Sequence, residues 1–356
     1  MTDLLLTNAA ILDGDGSFVS IVWQPRVKGK PASGIEGRRP GVGPNQENAD
    51  GGGIRMAKAW EMELETRRRA VPKILANEDQ TWDAINKLRQ IEDDHIRLYW
   101  HSEVPGSGAP ECLMIGAVQS AENRGRDVAG AENMVREGLE ALERGDIPAL
   151  HRLTSLVFKS LEEARVNRES PYWRYRAPRS WEEHAGEVSF PPSVPVDVSS
   201  TGFAQKIHAG WLAQICAGAL GTALEGYTTD RIIEVFGDIK GYVREPNTLN
   251  DDITYELAFL RAFEEKGYRV QSSDIAGQWV ALIPFGWSAE DIALRNLKLG
   301  VYPPESGRRS NPFSEWIGAQ MRGAVCGLVA PGDPEEAARL AWVDGVISHE
   351  TNGVLG

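Results

Sequence analysis

Two adjacent aspartates, Asp251 and Asp252, follow Asn250 at the head of a stretch with helical apolar spacing that runs to about Lys266. Side-by-side hard oxygen donors suit Mg²⁺, which takes carboxylates, waters and a substrate oxygen. Two like charges this close repel, and a divalent cation relieves that repulsion. The same residues have a plainer use at a helix start, where they cap free N–H groups and complement the helix dipole. Spacing alone leaves both uses open. Upstream, Glu225 is a lone carboxylate that would by itself be read as a surface residue, and downstream His349 follows Ser348 at the end of a helical run.

Three segments must position these groups. The first, Ile207 to Gly226, reads IHAGWLAQICAGALGTALEG, with helical apolar spacing at Ile207, Trp211, Ile215, Leu220 and Leu224. Small residues fill the rest, among them Gly210, Gly218 and Gly221. Each glycine costs a helix ~1 kcal/mol relative to alanine, so their use points to close approach by another helix or a ligand. The second segment is the helix headed by Asn250, with Leu257, Leu260 and Phe263 on one face and Ile253 a turn earlier. The third holds every helix-start signal in Gly332-Asp333-Pro334-Glu335-Glu336: Asp333 as cap, Pro334 at the first position and Glu336 closing a capping box. That helix is expected over 335–347.

Together these segments resemble the ADP-ribosylglycohydrolases, of the kind that reactivate dinitrogenase reductase. GALGTALEG matches the family's opening small-residue helix, and LNDDITYELAFL its Thr-Asp-Asp-Thr metal motif. EWIGAQMRGAVCGLVAPGDPEEAARLAW and DGVISHETNG match its glycine-rich substrate loop and its Ser-His pair. The likeness covers residues ~205–356. NDDI stands in place of TDDT, and NPFSEWIGAQMR in place of the usual glycine-asparagine-glycine loop.

The resemblance implies an all-α, orthogonal multi-helix bundle, partial in this chain, preceded by a mostly helical, loop-rich N-terminal region. It implies a metal-dependent hydrolase that cleaves a ribosidic bond. Asp251 and Asp252 would ligate metal, with Asn250 in the place of the first threonine ligand. Glu225 would do acid/base work or orient water, with Asp252 beside it. Gly318, Ala319, Met321 and Arg322 would lie against the ligand, with His349 close to the cleft. The cofactor would be Mg²⁺ or Mn²⁺, two ions in the complete protein. The partner would be an ADP-ribose-like small molecule or an ADP-ribosylated protein. Ile317 replaces an asparagine of the family loop, which removes a polar contact to the ligand. The family's second metal motif lies downstream of the Ser-His pair, so the chain is expected to be a fragment of a longer protein. Two other readings stay open: a non-catalytic module that binds a nucleotide or partner, and a hydrolase of another nucleoside or glycoside.

The remaining sequence bounds these readings. The expected segments are an irregular 1–55, a helical 56–170 of unknown role, a Pro/aromatic-rich connector over 171–200, and the family-like domain over 201–356. In the first, Phe18 to Trp23 reads as a strand after a turn at Asp13–Gly16, and Lys28 to Gly53 as a flexible linker. In the second, Trp82, Ile85, Leu88 and Ile91 suggest a helix that Ile96 and Tyr99 extend. Leu150, Leu153, Val157, Leu161 and Ala164 form the buried stripe of another. Its histidines form no ligand-spaced pair. With 38 Lys+Arg against 51 Asp+Glu, a net charge of −13 argues against a nucleic-acid binder. No run approaches the ~20 apolar residues of a membrane span. Cys112, Cys216 and Cys326 are widely spaced, which favours a reducing, cytoplasmic setting.

Overall fold

The computed structural model describes residues 10–12, 18–20, 57–246 and 250–356. The proposed turn at 13–16 and linker at 28–53 lie outside the described residues, as do positions 21–23 of the expected strand. Strand β1 (Ala10–Leu12) pairs antiparallel with β2 (Phe18–Ser20), Ile11 opposite Val19.

Helix α1 (Ala59–Arg69) buries none of its residues. Its arginines lie on a solvated face, where Arg67 and Arg69 pair with Glu63 and Glu65 one turn back. Helix α2 (Trp82–Trp100) crosses the boundary at Arg89–Gln90, beyond which the chain to Gly356 forms one compact unit. Trp82, Ile85, Leu88 and Ile91 are all exposed, and burial begins only at Tyr99 and Trp100. A strict three-residue step drifts around a 3.6-residue helix, so it marks the helix without marking a buried face.

The compact unit continues with a short hairpin, β3 (Ser102–Glu103) and β4 (Pro110–Glu111), and then helices α3 (Leu113–Asn123), α4 (Ala129–Glu143) and α5 (Ile147–Glu163). Asp146 caps α5 by accepting from the Ala149 N–H at 3.0 Å, and Pro148 sits in the first turn. Leu150, Leu153, Val157 and Leu161 are buried as expected, each worth about 1.5–3 kcal/mol. They share a core with Trp100, Leu113 and, from far along the chain, Ile292 and Phe313. The connector then holds α6 (Trp181–Glu187), whose His184 stacks on Trp342 at 5.6 Å between ring centroids.

Helices α7 (Thr201–Gly221), α8 (Thr229–Phe236), α9 (Asp251–Lys266), α10 (Ser272–Leu282) and α11 (Ser288–Lys298) follow. Shorter pieces, α12 (Glu305–Arg308), α13 (Gly318–Met321) and α14 (Ala324–Val329), lead to α15 (Pro334–Gly345) and α16 (Asn352–Leu355). A second core joins α9, α10, α11, α14 and α15 through Phe259, Trp279, Leu294, Cys326 and Leu340. Asp333 caps α15 by accepting from the Glu336 N–H, as its sequence signals predict. The architecture of the described residues is all-α, with sixteen helices and only two-residue or three-residue strands. No helix among them is long and apolar enough to cross a membrane.

The inward face of α9 is rotated from the expected one: Leu260 and Phe263 pack against the second core, but they lie at its edge. Tyr255, Glu256, Ala258, Phe259 and Ala262 are buried, whereas Leu257 is 44% exposed. The buried apolar positions follow i, i+3, i+4 and i+7 from Tyr255, and Glu256 beside them carries a carboxylate into the core.

Candidate active site

Asn250 starts α9 by using its side-chain oxygen as a cap, accepting from the Ile253 N–H at 3.2 Å. Opposite it runs α7, capped by Ser200, which accepts from the Phe203 N–H at 3.1 Å. The two helices meet at Gly218: a methyl group there would lie 2.7 Å from Asn250 Nδ2 and 3.8 Å from Asp252 Oδ2. The small-residue signal of α7 therefore marks a close approach to the Asn-Asp-Asp turn. Beyond Gly221 the chain turns once more, the Glu225 N–H donating to the Gly221 carbonyl at 3.0 Å. That turn brings Glu225 into the same electrostatic neighbourhood.

Four carboxylates in this region are raised above their ordinary range. Asp252 is pushed up to about 6, first by burial and then by Asp251 and Glu225. Glu225 is raised by partial burial, with Asp251 and Glu111 adding to it. Glu256, one turn after Asp252, rises to about 7 through burial, against the hydrogen bonds from Gln214 and the Val325 N–H. Burial also raises Glu290, opposed by Arg322, while Asp251 adds to the rise. Asp251 thus acts on Glu225, Asp252 and Glu290 together. Asp252, raised toward neutral pH and only partly buried, is the carboxylate of this group suited to exchange a proton with a substrate near neutral pH.

Arg322 and His349 sit beneath this cluster, sealed from solvent at 1% exposure each. The Arg322 guanidinium donates to Asp344 Oδ2 at 2.5 Å, Glu290 Oε1 at 2.7 Å, the Gly318 carbonyl at 2.8 Å and Ser348 Oγ at 2.8 Å. It also lies 4.7 Å from the Trp279 ring. His349 Nδ1 is 2.7 Å from Ser348 Oγ, and burial with the Arg322 charge lowers its pKa to about 2. The histidine is neutral at physiological pH, and its Nε2 is buried without a partner among the described residues. Gly318 is buried against Glu290, leaving no room for a side chain. Met321 packs on the second core, Ala319 is half-buried and Ile317 is 66% exposed. The structure therefore gathers Asn250, Asp251, Asp252 and Glu225 in one acidic region. It gathers Gly318, Arg322 and His349 in a buried network that reaches the region through Glu290.

Residues 199–356 match the ADP-ribosylglycohydrolase family. This part of the chain is an ADP-ribosylglycohydrolase domain. No curated protein and no solved structure matches the chain.

In the ADP-ribosylglycohydrolase domain, hard oxygens from Asp251, Asp252 and Glu225 are the donor chemistry that a small divalent cation takes, and their mutual repulsion is what such an ion would relieve. Asn250 is committed to its cap through Oδ1. Among the described residues no group of three or more His, Cys, Asp or Glu side chains is disposed to hold an ion. The donors fit in kind and are not closed into a cage.

Sequence reasoning missed Glu256, Glu290, Asp344 and Glu111. For Glu256 there was a signal: a glutamate four residues after Asp252, within the Tyr255, Ala258 and Phe259 face of α9. Glu290 and Asp344 lie 32 and 22 residues from Arg322, and only the fold shows that they share its charge.

Proposed function

We propose that the chain is a hydrolase of N- or O-ribosidic bonds in an ADP-ribose-like substrate, with Glu225 and Asp252 as its proton-handling carboxylates. The observation that carries this reading is the acidic region where Gly218 brings α7 onto the head of α9. The bond from the anomeric carbon to the leaving nitrogen or oxygen breaks, and a bond from that carbon to a water oxygen forms. The proton released by the water passes to a carboxylate, and the leaving group gains one. Glu225, raised and still open to solvent, suits the proton transfer to the leaving group or from water. Asp252 and Asp251 supply negative charge beside an oxocarbenium-like centre. Mg²⁺ or Mn²⁺ held by Asp251 and Asp252 would orient the ribose diol and offset developing charge. The partner is an ADP-ribosylated protein or small molecule, with no nucleic-acid or membrane role. The three free cysteines accord with a reducing, cytoplasmic setting.

A second reading, a nucleotide- or partner-binding module that does not turn over, is favoured by one observation: Arg322 is locked in a sealed ion-pair network with Glu290 and Asp344, which withdraws it from the chemistry. The test is release of ADP-ribose from a panel of ribosylated arginine, serine and small-molecule substrates, with calorimetric titration of Mn²⁺ and ADP-ribose alongside. Turnover that requires Mn²⁺ or Mg²⁺ and is lost in Asp251→Ala with Asp252→Ala supports the hydrolase. ADP-ribose binding without turnover favours the second reading. Cleavage of another nucleoside or glycoside instead would redirect the substrate assignment.

A further inference from the structure

The family-matched segment begins at residue 199, yet the loop carrying Glu225 is packed against a hairpin from far earlier in the chain. That hairpin, β3 and β4, is closed by the Val104 N–H donating to the Ala109 carbonyl at 2.9 Å, and Ala109 is fully buried. A methyl group at Gly226 would lie 2.6 Å from Ala109 Cβ and 3.3 Å from Val104 Cγ2. On the other side, a side chain at Gly106 would collide with the Thr222 methyl. Both glycines have positive φ, +81° and +96°, a region that other residues rarely adopt. Tyr227 Oη donates to the Ser107 carbonyl at 3.2 Å. Thus the turn before Glu225, through Thr222, and the residues after it, Gly226 and Tyr227, are all held by the hairpin.

The last residue of the hairpin is Glu111. Its Oε2 accepts from Trp287 Nε1 at 2.9 Å and from Ser102 Oγ at 3.0 Å. Two donors on one oxygen fix the carboxylate in place. Trp287 immediately precedes α11, whose Glu290 belongs to the Arg322 network, so one short segment anchors Glu111 and holds that network. The charge of Glu111 acts on Glu225.

We propose that the β3–β4 hairpin is a wall of the Glu225 site and that Glu111 is a positioning residue for it. The hairpin sets the loop, and the Glu111 carboxylate, fixed by Trp287 and Ser102, sets the charge environment in which Glu225 works. The region ahead of the family segment is then a working part of the active site. The catalytic half of this inference rests on the hydrolase reading; the packing of the hairpin on the Glu225 loop does not.

The experiment has two arms on the full chain. In the first, thermal unfolding at pH 8 compares the parent, Glu111→Gln, Glu225→Gln and the double variant. Like charges in proximity make the Tm change caused by E111Q about 1 °C or more favourable with Glu225 present than with Gln at 225. Additive Tm changes would overturn the proposal. In the second, E111Q lowers kcat for ribosyl release about tenfold with KM within twofold, and Glu111→Asp, which keeps the charge, recovers part of it. Parent-like kcat in E111Q would overturn the positioning role. If the parent itself releases no ribose, the hydrolase reading falls and the thermal cycle alone decides whether Glu111 faces Glu225.

Discussion

Gly218 on α7 faces Asn250 so closely that a methyl group there would lie 2.7 Å from the Asn250 Nδ2. Alanine is the better helix former by ~1 kcal/mol, so Gly218→Ala gains helix stability while it pushes the head of α9 away. The two effects oppose each other in folding but not in the site. Gly218→Ala should leave Tm within a few degrees of the parent and weaken Mn²⁺ binding about tenfold by calorimetry. Unchanged affinity would show that the Asn-Asp-Asp turn tolerates displacement and is not the ion's binding site.

Glu225→Gln keeps the shape of the loop and removes the proton-accepting charge. General acid–base groups contribute about 10²–10⁴-fold, and kcat for ribosyl release should fall in that range. KM should change little. A fall of less than threefold would take Glu225 out of the chemistry.

Glu256 gives a pH prediction with a definite sign. Its pKa is raised from an ordinary 4.5 to about 7, so between these values the folded chain holds a proton that the unfolded chain has released. Its contribution is fully present below 4.5 and is lost as pH rises through about 7. Glu256→Gln mimics the protonated form and still accepts from the Val325 N–H. It should stabilise the chain by about 3 kcal/mol at pH 8 and by almost nothing at pH 4. His349 works oppositely, losing stability as pH falls below its ordinary 6.5, but it is common to parent and variant and cancels. Denaturant unfolding at the two pH values measures the difference. An equal effect at both would mean that Glu256 is ionised in the fold.

Arg322 balances Glu290 and Asp344 inside the protein. Removing one partner of a buried ion pair leaves an uncompensated charge, at a cost of about 3–5 kcal/mol. Arg322→Ala should lower stability by that amount without any ligand present. Loss of ADP-ribose affinity with unchanged unfolding would instead mark Arg322 as a residue that touches only the ligand.

Local chemistry was legible in the sequence. Asn250 and Asp333 cap helices where their neighbours predict, because a cap needs only the next three residues. The small residues of α7 announced a close approach, and the family motifs located the carboxylates at 225, 251 and 252. The apolar stripe of α5 was readable for the same local reason, whereas that of α9 was readable only at Leu260 and Phe263. Leu257 fits the helical period as well as Tyr255 does, and only the packing of α10, α14 and α15 decides which face turns inward.

What the tertiary structure alone decided is charge and company. Arg322 and His349 look alike in sequence whether they face a cleft or a core; the fold seals them, pairing one with Glu290 and Asp344 and holding the other neutral. Glu111 lies 114 residues before Glu225, and no periodicity links them. A carboxylate's proton affinity depends on how much water is excluded and which charges lie within a few ångströms, and both follow from chain segments distant in sequence. The sequence determined which groups are present, and the folded packing determined what each of them can do.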